Sequence, residues 1–256
     1  MSGLAPGASY VFTVTPVNAF GEGPASAPSA LVFVPQWDVK APTGVGISSL
    51  PSTFTLASSI AVGWGASDPS GILGYDVQVR SARWSSLPGS WTTWKSRTAA
   101  QSAVYKGSAG YTYCFRVRAE DRAGNVSTWS TKRCTSRPLT ADQLAYTRNF
   151  TRYTPLGAYT NTAYWTMTAG ARMKRTSIYG QQIALVALTC PECGSVRVSW
   201  NGVPVKTVNL WSASKKRAQV IKVLSFGSPR SGTLTVDVLT NGKYVVIEGV
   251  GVYNGT

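Results

Sequence analysis

The sequence contains no histidine among its 256 residues. This absence excludes Ser-His-Asp and Cys-His catalytic arrangements and every histidine-ligated metal site. Acidic residues number only ten, and the adjacent pair Glu120 and Asp121 on one predicted strand would point to opposite faces. They cannot form the facing carboxylate pair of a glycosidase, and no phosphate loop or nucleophile elbow is present. We therefore predict no enzymatic activity, no catalytic residue, no metal and no cofactor.

The sequence also lacks helical periodicity and any apolar run of membrane-spanning length. Its first residues lack the basic segment and apolar core of a signal peptide. What is abundant instead is glycine (25), proline (14), tyrosine (12) and tryptophan (9). That composition suits a turn-rich, all-β chain with no membrane insertion, long enough for two domains with separate cores.

Four cysteines admit two interpretations, a single zinc site or two disulfides. Only Cys190 and Cys193 have the spacing of zinc ligands, whereas Cys114 and Cys134 are separated by a whole predicted hairpin. We favour the disulfides Cys114–Cys134 and Cys190–Cys193, formed in an oxidising compartment. A redox role for the second pair is the weaker alternative, because it lies between strands and not at a helix start that would lower a thiol pKa.

The clearest strand pattern begins at Tyr111. Apolar and aromatic side chains alternate with polar ones through Ala119, which predicts a half-buried β-strand. Cys114 belongs to the opposite set and should point away from the core. The turn residues Ala123-Gly124-Asn125 precede a second predicted strand from Trp129 to Cys134, which completes a hairpin.

This hairpin resembles the last one of a fibronectin type III domain. The resemblance rests on Tyr113, Phe115, Val117, Ala119, Gly124, Asn125, Trp129 and Ser130. It implies an immunoglobulin-like sandwich over residues 37–139, with Trp64 in the core and early strands at Phe54-Thr55-Leu56 and Ile60 to Trp64.

Residues 1–36 repeat part of the same motif, as Tyr10-x-Phe12-x-Val14 followed by Asn18-x-x-Gly21-x-Gly23. We interpret them as the closing hairpin of a partial fibronectin type III domain. A lone hairpin is marginal in water, so we expect it to be stabilised by an upstream domain or by other copies of the chain. Packing on domain 37–139 is the alternative.

A different pattern follows the short linker Arg137 to Thr140. Predicted strands cover Ile183 to Leu188, a hairpin around the turn Asn201-Gly202, and the segments Val220 to Phe226, Leu234 to Leu239 and Tyr244 to Tyr253. A change in apolar parity predicts a β-bulge near Lys206-Thr207, and Asn241-Gly242 predicts another turn.

Residues 140–256 resemble the carbohydrate-binding-module-like jelly roll of large secreted bacterial proteins. The matching residues are Cys190-x-x-Cys193-Gly194, Val198-x-Trp200-Asn201-Gly202, Val208-x-Leu210-x-Ser212 and Val246-x-Glu248-Gly249-Val250-Gly251-Val252. The resemblance implies an all-β jelly-roll sandwich that holds glycans.

Candidate ligand contacts are aromatic and basic. Sugar rings stack on aromatic side chains through their C–H faces, so we expect Tyr159, Tyr164 and Trp165 to contact a glycan, with Trp200 or Trp211 as an alternative surface. The other interpretation is that these rings fill the core.

The net charge is +15, and its one cluster, Lys215-Lys216-Arg217, is expected in a loop between strands. It predicts attraction to a polysaccharide or an anionic cell-wall polymer, against the plainer interpretation of a solvated surface. No nucleic-acid motif accompanies it, so we predict no nucleic-acid partner.

The sequence as a whole predicts a non-catalytic, secreted or cell-surface module for spacing and adhesion to surface polysaccharide. One alternative is a structural subunit of an extracellular appendage, assembled through the incomplete first sandwich. Another is the accessory C-terminal region of a secreted glycan-active or proteolytic enzyme.

Overall fold

The computed structural model describes residues 3–255, and nearly all of its regular elements are β-strands. The predicted all-β class, an immunoglobulin-like sandwich followed by a jelly-roll β-sandwich, is confirmed. Two short 3₁₀ turns, Ala141–Gln143 and Tyr159–Asn161, accompany the strands. The first two residues and the last residue of the predicted domains 1–36 and 140–256 lie outside the described part. Within residues 3–255 no helix is long and apolar enough to cross a membrane.

The first described segment is an isolated antiparallel hairpin. Its strands are β1 (Ser9–Tyr10), β2 (Val17–Asn18), β3 (Gly21–Glu22) and β4 (Val32–Phe33), with β1 on β4 and β2 on β3. The rings of Tyr10 and Phe12 stack with centroids 6.4 Å apart, whereas Val14 is 69% exposed and Phe20 fully exposed. Its apolar residues are therefore largely open to solvent.

The first sandwich consists of residues 43–136. Its strands are β5 (Thr43–Ser49), β6 (Ser59–Ser67), β7 (Ile72–Arg83), β8 (Thr92–Thr98), β9 (Ser102–Lys106), β10 (Tyr111–Asp121) and β11 (Arg133–Ser136). A three-stranded sheet β5-β6-β9 faces a four-stranded sheet β11-β10-β7-β8. Trp64 lies in the shared core, as predicted, with Tyr75, Val77 and Phe115. The predicted strand at Phe54 is wrong, because that segment forms only an isolated bridge to Ser136.

The predicted strand from Trp129 to Cys134 is also wrong in its bounds, since β11 begins at Arg133. Serine side chains explain the difference. Ser127 and Ser130 each accept a β10 backbone N–H on their own Oγ, at 3.0 and 3.1 Å. A side-chain acceptor replaces the backbone carbonyl there, so the regular ladder is interrupted. Ser26 and Ser29 do the same in the first hairpin, which makes the two motifs structurally alike.

The second sandwich consists of residues 139–255. Its strands are β12 (Leu139–Thr140), β13 (Ala145–Tyr146), β14 (Thr151–Tyr153), β15 (Ala163–Thr166), β16 (Arg172–Thr189), β17 (Ser195–Trp200), β18 (Val203–Asn209), β19 (Lys216–Val238) and β20 (Val245–Tyr253). The order is β14-β15-β20-β16-β19-β17-β18, with β12 on β20 and β13 on β16. Residues 183–188 are fully buried, as their continuous apolar run predicts.

One local prediction for this sandwich is wrong, and two are confirmed. Residues 220–226 and 234–239 are not separate strands, because β19 runs through both and pairs with β16 across several register shifts. The predicted bulge near Lys206-Thr207 is confirmed, since Val198 opposes Lys206 but Ser199 opposes Pro204, which leaves Val205 as the extra residue. The chain bends at Asn241-Gly242, as predicted, with Gly242 at a φ of 67°, and the strands before and after this bend, β19 and β20, lie on either side of β16.

Both predicted disulfides are present and together include all four cysteines. Cys114 points away from Tyr113 and Phe115, yet it is 2% exposed and not on an open face. The reason is that the end of the second sandwich covers it. Ser136 Oγ donates to Val252 O at 2.6 Å, and Asn254 N donates to Thr112 Oγ1 at 3.0 Å.

The segment predicted as a linker is an ordered part of this junction. Arg137 is buried and its Nη1 donates to Gly107 O at 2.6 Å. Leu139 is fully buried and pairs with Val250. The two sandwiches are therefore joined by packed and hydrogen-bonded residues and not by a free tether.

A double Cys114→Ser/Cys134→Ser variant should lose about 3 kcal/mol of unfolding free energy, because the bond closes a 20-residue loop in the unfolded chain. Urea titration measures this loss. The Cys190→Ser/Cys193→Ser variant, with a separation of only 3, should lose less. Thiol labelling of the denatured, unreduced chain should find none, and four labelled thiols would contradict the disulfide assignment.

Candidate functional site

One end of the second sandwich carries a groove of about 400 Å³. We call it the aromatic groove, and its lining consists of Tyr153, Trp165, Leu188, Cys190, Glu192, Lys215, Arg217, Tyr244 and Val246. These residues come from β14, β15, the end of β16, the turn after it, and the starts of β19 and β20. Sheet pairing brings the segments together: Trp165 lies opposite Val246, and Thr189 opposite Lys216.

Aromatic rings form the walls of the groove. Trp165 is half-buried and its ring centroid lies 5.8 Å from that of Tyr244, with the planes tilted by 51°. Because side chains alternate along β15, Trp165 faces the groove while its neighbour Tyr164 points to the opposite side and is buried. On the other side of the groove, the Tyr153 hydroxyl accepts a hydrogen bond of 3.2 Å from Arg217 Nη1.

A buried carboxylate lies behind Arg217. Glu248 is fully buried, and its Oε2 accepts hydrogen bonds from the backbone N–H groups of Tyr159 (2.8 Å) and Ala218 (3.0 Å). Its Oε1 lies 3.9 Å from Arg217 Nη1. Burial raises the pKa of Glu248 above its ordinary value, although both backbone bonds and Arg217 oppose that rise. The carboxylate therefore organises the groove from behind and is closed to a ligand.

The backbone at Ala218 supports the same arrangement. Its φ of 52° lies in the left-handed region that favours glycine. The N–H of this residue, directly after Arg217, donates to Glu248 Oε2 at 3.0 Å. Such strain is retained where surrounding contacts fix the backbone. Here the contacts are the Ala218 hydrogen bond to Glu248 and the Arg217 hydrogen bond to Tyr153.

The Cys190–Cys193 disulfide closes the turn at the floor of the groove. Cys193 N donates to Cys190 O at 3.2 Å, and Ser212 N donates to the same carbonyl at 3.1 Å. The turn places Glu192 in the groove lining together with Lys215 and Arg217. The bond itself agrees with the disulfide predicted from the sequence.

The groove unites only some of the predicted site residues. Trp165, Lys215 and Arg217 line it, but Lys216 is an exposed strand residue outside it. The basic cluster is not a loop, because β19 already begins at Lys216. Trp211 is 59% exposed and lies outside the groove lining.

The prediction that Tyr159, Tyr164 and Trp200 contact a glycan is wrong. Their side chains are buried, with exposed fractions of 3%, 4% and 8%. Burial also raises the pKa of Tyr159 to about 12, and its hydroxyl donates to Pro138 O at 2.7 Å. The Tyr164 hydroxyl donates to Asp142 at 2.9 Å. Trp200 packs on Phe226 with ring centroids 5.4 Å apart. None of these rings offers a face to a sugar.

Sequence reasoning did not assign Tyr153, Glu192 or Tyr244 to the site. Tyr153 stands in the same aromatic stretch as Trp165, so composition could have indicated it. Glu192 lies inside the Cys190–Cys193 turn and Tyr244 just after the second Asn-Gly turn, where no local pattern marks a ligand contact. Only the pairing of distant strands brings them to Trp165.

Comparison with known proteins gives two curated relatives, each similar over about half of this chain. The sequence is 37% identical over 131 residues to chitinase A1 of Niallia circulans, covering 50% of this chain and 17% of that protein. It is 35% identical over 139 residues to exoglucanase B of Cellulomonas fimi, covering 51% and 11%. The chain thus spans less than a fifth of the length of either relative. No family model matches it.

Among solved structures, the chain is similar at low identity to carbohydrate-binding modules from the β-sandwich superfamily. The match has a TM-score of 0.38 and 12% identity, and covers 83% of this chain and 98% of that one. The FN1-FN3 domains of chicken CNTN1 match with a TM-score of 0.28 and 11% identity, over 98% and 76% of the two chains.

Proposed function

We propose that this chain is a non-catalytic, glycan-binding and spacing region of a secreted or surface-attached bacterial protein, and that the aromatic groove holds the polysaccharide. The observation that carries the proposal is the groove itself. Trp165, Tyr244 and Tyr153 offer ring surface, while Lys215, Arg217 and Glu192 offer hydrogen-bonding groups beside it. Ligand sites combine apolar and aromatic walls with a few placed polar groups in this way.

The carboxylates near the groove support binding more than hydrolysis. Glycosidases use two carboxyl groups facing the scissile bond, separated by roughly 5 to 9.5 Å. Of the carboxylates described here, Glu192 is an exposed groove residue and Glu248 is fully buried against backbone N–H groups. Glu248 cannot reach a sugar without breaking these bonds.

The remaining predicted features enter the same proposal. The domains are residues 1–36, 37–139 and 140–256, with the first a partial fibronectin type III domain. The disulfides suit an oxidising, extracellular location. The exposed apolar side chains of the first hairpin, Val14 and Phe20 among them, would be covered by an upstream domain or by another copy, which is also what an appendage subunit would require.

The second candidate is the accessory region of a longer glycan-active enzyme. It is favoured by similarity to parts of two proteins named as a chitinase and an exoglucanase. In that case the groove would hold the parent enzyme on its polysaccharide. The sequence of the whole parent protein distinguishes this candidate from a free adhesive module.

Trp165→Ala should weaken binding to the preferred polysaccharide more than tenfold. Losing a buried aromatic contact costs about 1.5–3 kcal/mol, and about 1.4 kcal/mol is tenfold. Pull-down on chitin, cellulose and purified bacterial wall polysaccharide measures the effect. Trp211→Ala is the matched control, because that tryptophan is exposed outside the groove lining, and it should bind as the unmodified chain does.

Salt separates stacking from charge in the same assay. The Debye length falls from about 10 Å at 0.1 M to about 3 Å at 1 M, so binding through Trp165 to a neutral sugar should persist at high salt. If binding disappears at high salt and in a triple Lys215→Ala/Lys216→Ala/Arg217→Ala variant, the chain binds through a basic adhesive surface and not through a sugar site. If none of the polysaccharides binds at either salt concentration, the proposed function is wrong.

A further inference from the structure

A second charged surface lies on the first sandwich, on the outer face of the sheet β8-β7-β10. Arginine and tryptophan side chains alternate there in a column. The Arg116 guanidinium lies 4.4 Å from the Trp91 ring centroid and 4.7 Å from that of Trp129. Arg80 lies 4.8 Å from Trp91, and Arg118 4.9 Å from Trp129. We call these five side chains the arginine–tryptophan column.

The strand alternation creates this face. Val77, Val79, Phe115 and Val117 point into the core, so the residues between them point outward, and Arg116 lies directly opposite Gln78 in the pairing of β10 with β7. Gln78 Oε1 accepts hydrogen bonds from Arg116 Nε at 2.9 Å and Nη2 at 2.7 Å. Two ring faces and one amide oxygen thus hold the guanidinium in one orientation.

Positive charge on this face exceeds negative charge. Its carboxylates are Asp76, which is engaged by Arg118 at 2.9 Å, and Glu120, which is engaged by Arg97 at 2.9 Å. Within residues 3–255 no salt bridge includes Arg116 or Lys132. Desolvation, and then the neighbouring Arg80, lower the pKa of Arg116, which is consistent with crowding of positive groups. A bound anion would relieve that repulsion.

An open cleft of about 520 Å³ gives access to the column. Its lining consists of Arg80, Trp91, Arg116, Ser130, Thr131 and Lys132. Three cations and two hydroxyl groups therefore converge on a surface whose central guanidinium is already ordered. A preorganised guanidinium loses little side-chain entropy when it binds a carboxylate or a sulfate.

We propose that this face is a second binding site, independent of the aromatic groove, for an acidic polysaccharide bearing carboxylate or sulfate groups. A polysaccharide fits better than a nucleic acid. Single-stranded nucleic acids are held by bases stacked on open aromatic faces. Here the ring of Trp91 already packs against Arg80 and Arg116, and the ring of Trp129 against Arg116 and Arg118. The chain's two disulfides also indicate an extracellular partner.

The test measures binding of the full chain to polygalacturonate, heparin, neutral dextran and single-stranded poly(dT) by titration calorimetry at 0.05 M and 0.5 M NaCl. Polygalacturonate carries carboxylates and heparin adds sulfates, so the two distinguish the anionic group. We expect binding to one or both, no binding to dextran, and at least a tenfold loss of affinity at the higher salt.

Four substitutions locate the site. Arg116→Gln and Lys132→Gln should each weaken binding about five- to tenfold, and the exposed position of Lys132 protects the second result from folding effects. Lys106→Gln removes the same charge from an exposed position on the other sheet and should leave affinity unchanged. Trp165→Ala should also leave it unchanged, which separates this site from the groove.

Several results would overturn the proposal. They are a failure of both acidic polysaccharides to bind, binding of poly(dT) alone, or equal losses in Lys106→Gln and Lys132→Gln. The last would mean that the net charge of the chain, and not this face, attracts the polymer.

Discussion

Replacing Glu248 with alanine should lower the free energy of unfolding by about 3 kcal/mol and disorder the basic side of the aromatic groove. The substitution leaves the buried N–H groups of Tyr159 and Ala218 without their acceptor, and an unsatisfied buried polar group costs roughly 1–3 kcal/mol. It also removes the carboxylate beside Arg217. Chemical denaturation measures the loss, and weaker binding of anionic glycans should accompany it.

Glu248→Gln is the informative companion variant. Its amide oxygen can accept both backbone hydrogen bonds, so its stability at low pH should approach that of the unmodified chain. Glu192→Gln serves as a control for removal of a groove carboxylate, because Glu192 is exposed, and it should change stability little. If alanine at position 248 proved as stable as glutamine, the carboxylate would have no organising role.

The sign of the pH dependence follows from the raised pKa of Glu248. Burial lifts it above the ordinary value of 4.5, so between these two values the folded chain keeps a proton that the unfolded chain has lost. The extra stability is present below pH 4.5 and is lost as the pH rises through the folded pKa. The unmodified chain should therefore lose stability relative to Glu248→Gln as the pH rises above 4.5, and a constant difference would contradict the assignment.

Local sequence signals predicted those parts of the fold that depend on neighbours in the chain. Alternation predicted β7 and β10, and Asn201-Gly202 predicted a two-residue hairpin whose residues indeed have φ of 52° and 82°. The strand at Trp129 failed because Ser127 and Ser130 offer their own oxygens to β10. A serine in a sequence does not reveal that its side chain will replace a backbone acceptor.

The site was less predictable, because it depends on which surfaces a second layer covers. Tyr164 and Trp165 are adjacent, and strand geometry requires that they face opposite sides. Composition alone could not decide which one would be buried. Tyr244 reaches Trp165 only because β20 lies beside β15, a long-range pairing without a local signal.

The glycines of β20 lie at the junction between the sandwiches, and their role there also depends on contacts that no local sequence pattern predicts. Val250 and Val252 face the core of the second sandwich, whereas Gly249 and Gly251 face outward. A Cβ at position 249 would collide with the Leu139 carbonyl, and one at position 251 would lie 2.6 Å from the Phe54 ring. The outward face of the Gly-Val-Gly-Val run therefore carries no side chains, and the first sandwich packs directly against its backbone.

Gly251→Val should separate the two sandwiches without unfolding either of them. The backbone there is an ordinary strand, so valine is compatible locally, but its side chain would displace the buried Phe54 ring. We expect calorimetry to change from one unfolding transition to two, and thermolysin, which cleaves before leucine, to cut before Leu139 at least ten times faster, because that leucine is fully buried at the intact junction. Overpacking of this kind costs about 1–3 kcal/mol.

The matched control for this junction is Gly227→Val, since a Cβ at position 227 has no atom within 4 Å. It should keep a single transition and the slow thermolysin cleavage before Leu139. Two transitions in the unmodified chain would mean that the junction does not couple the sandwiches. A single transition in Gly251→Val would mean that Phe54 has another place to pack. With the expected result, the aromatic groove and the arginine–tryptophan column are held on one rigid body, so a polymer bound at both sites gains avidity from their fixed separation.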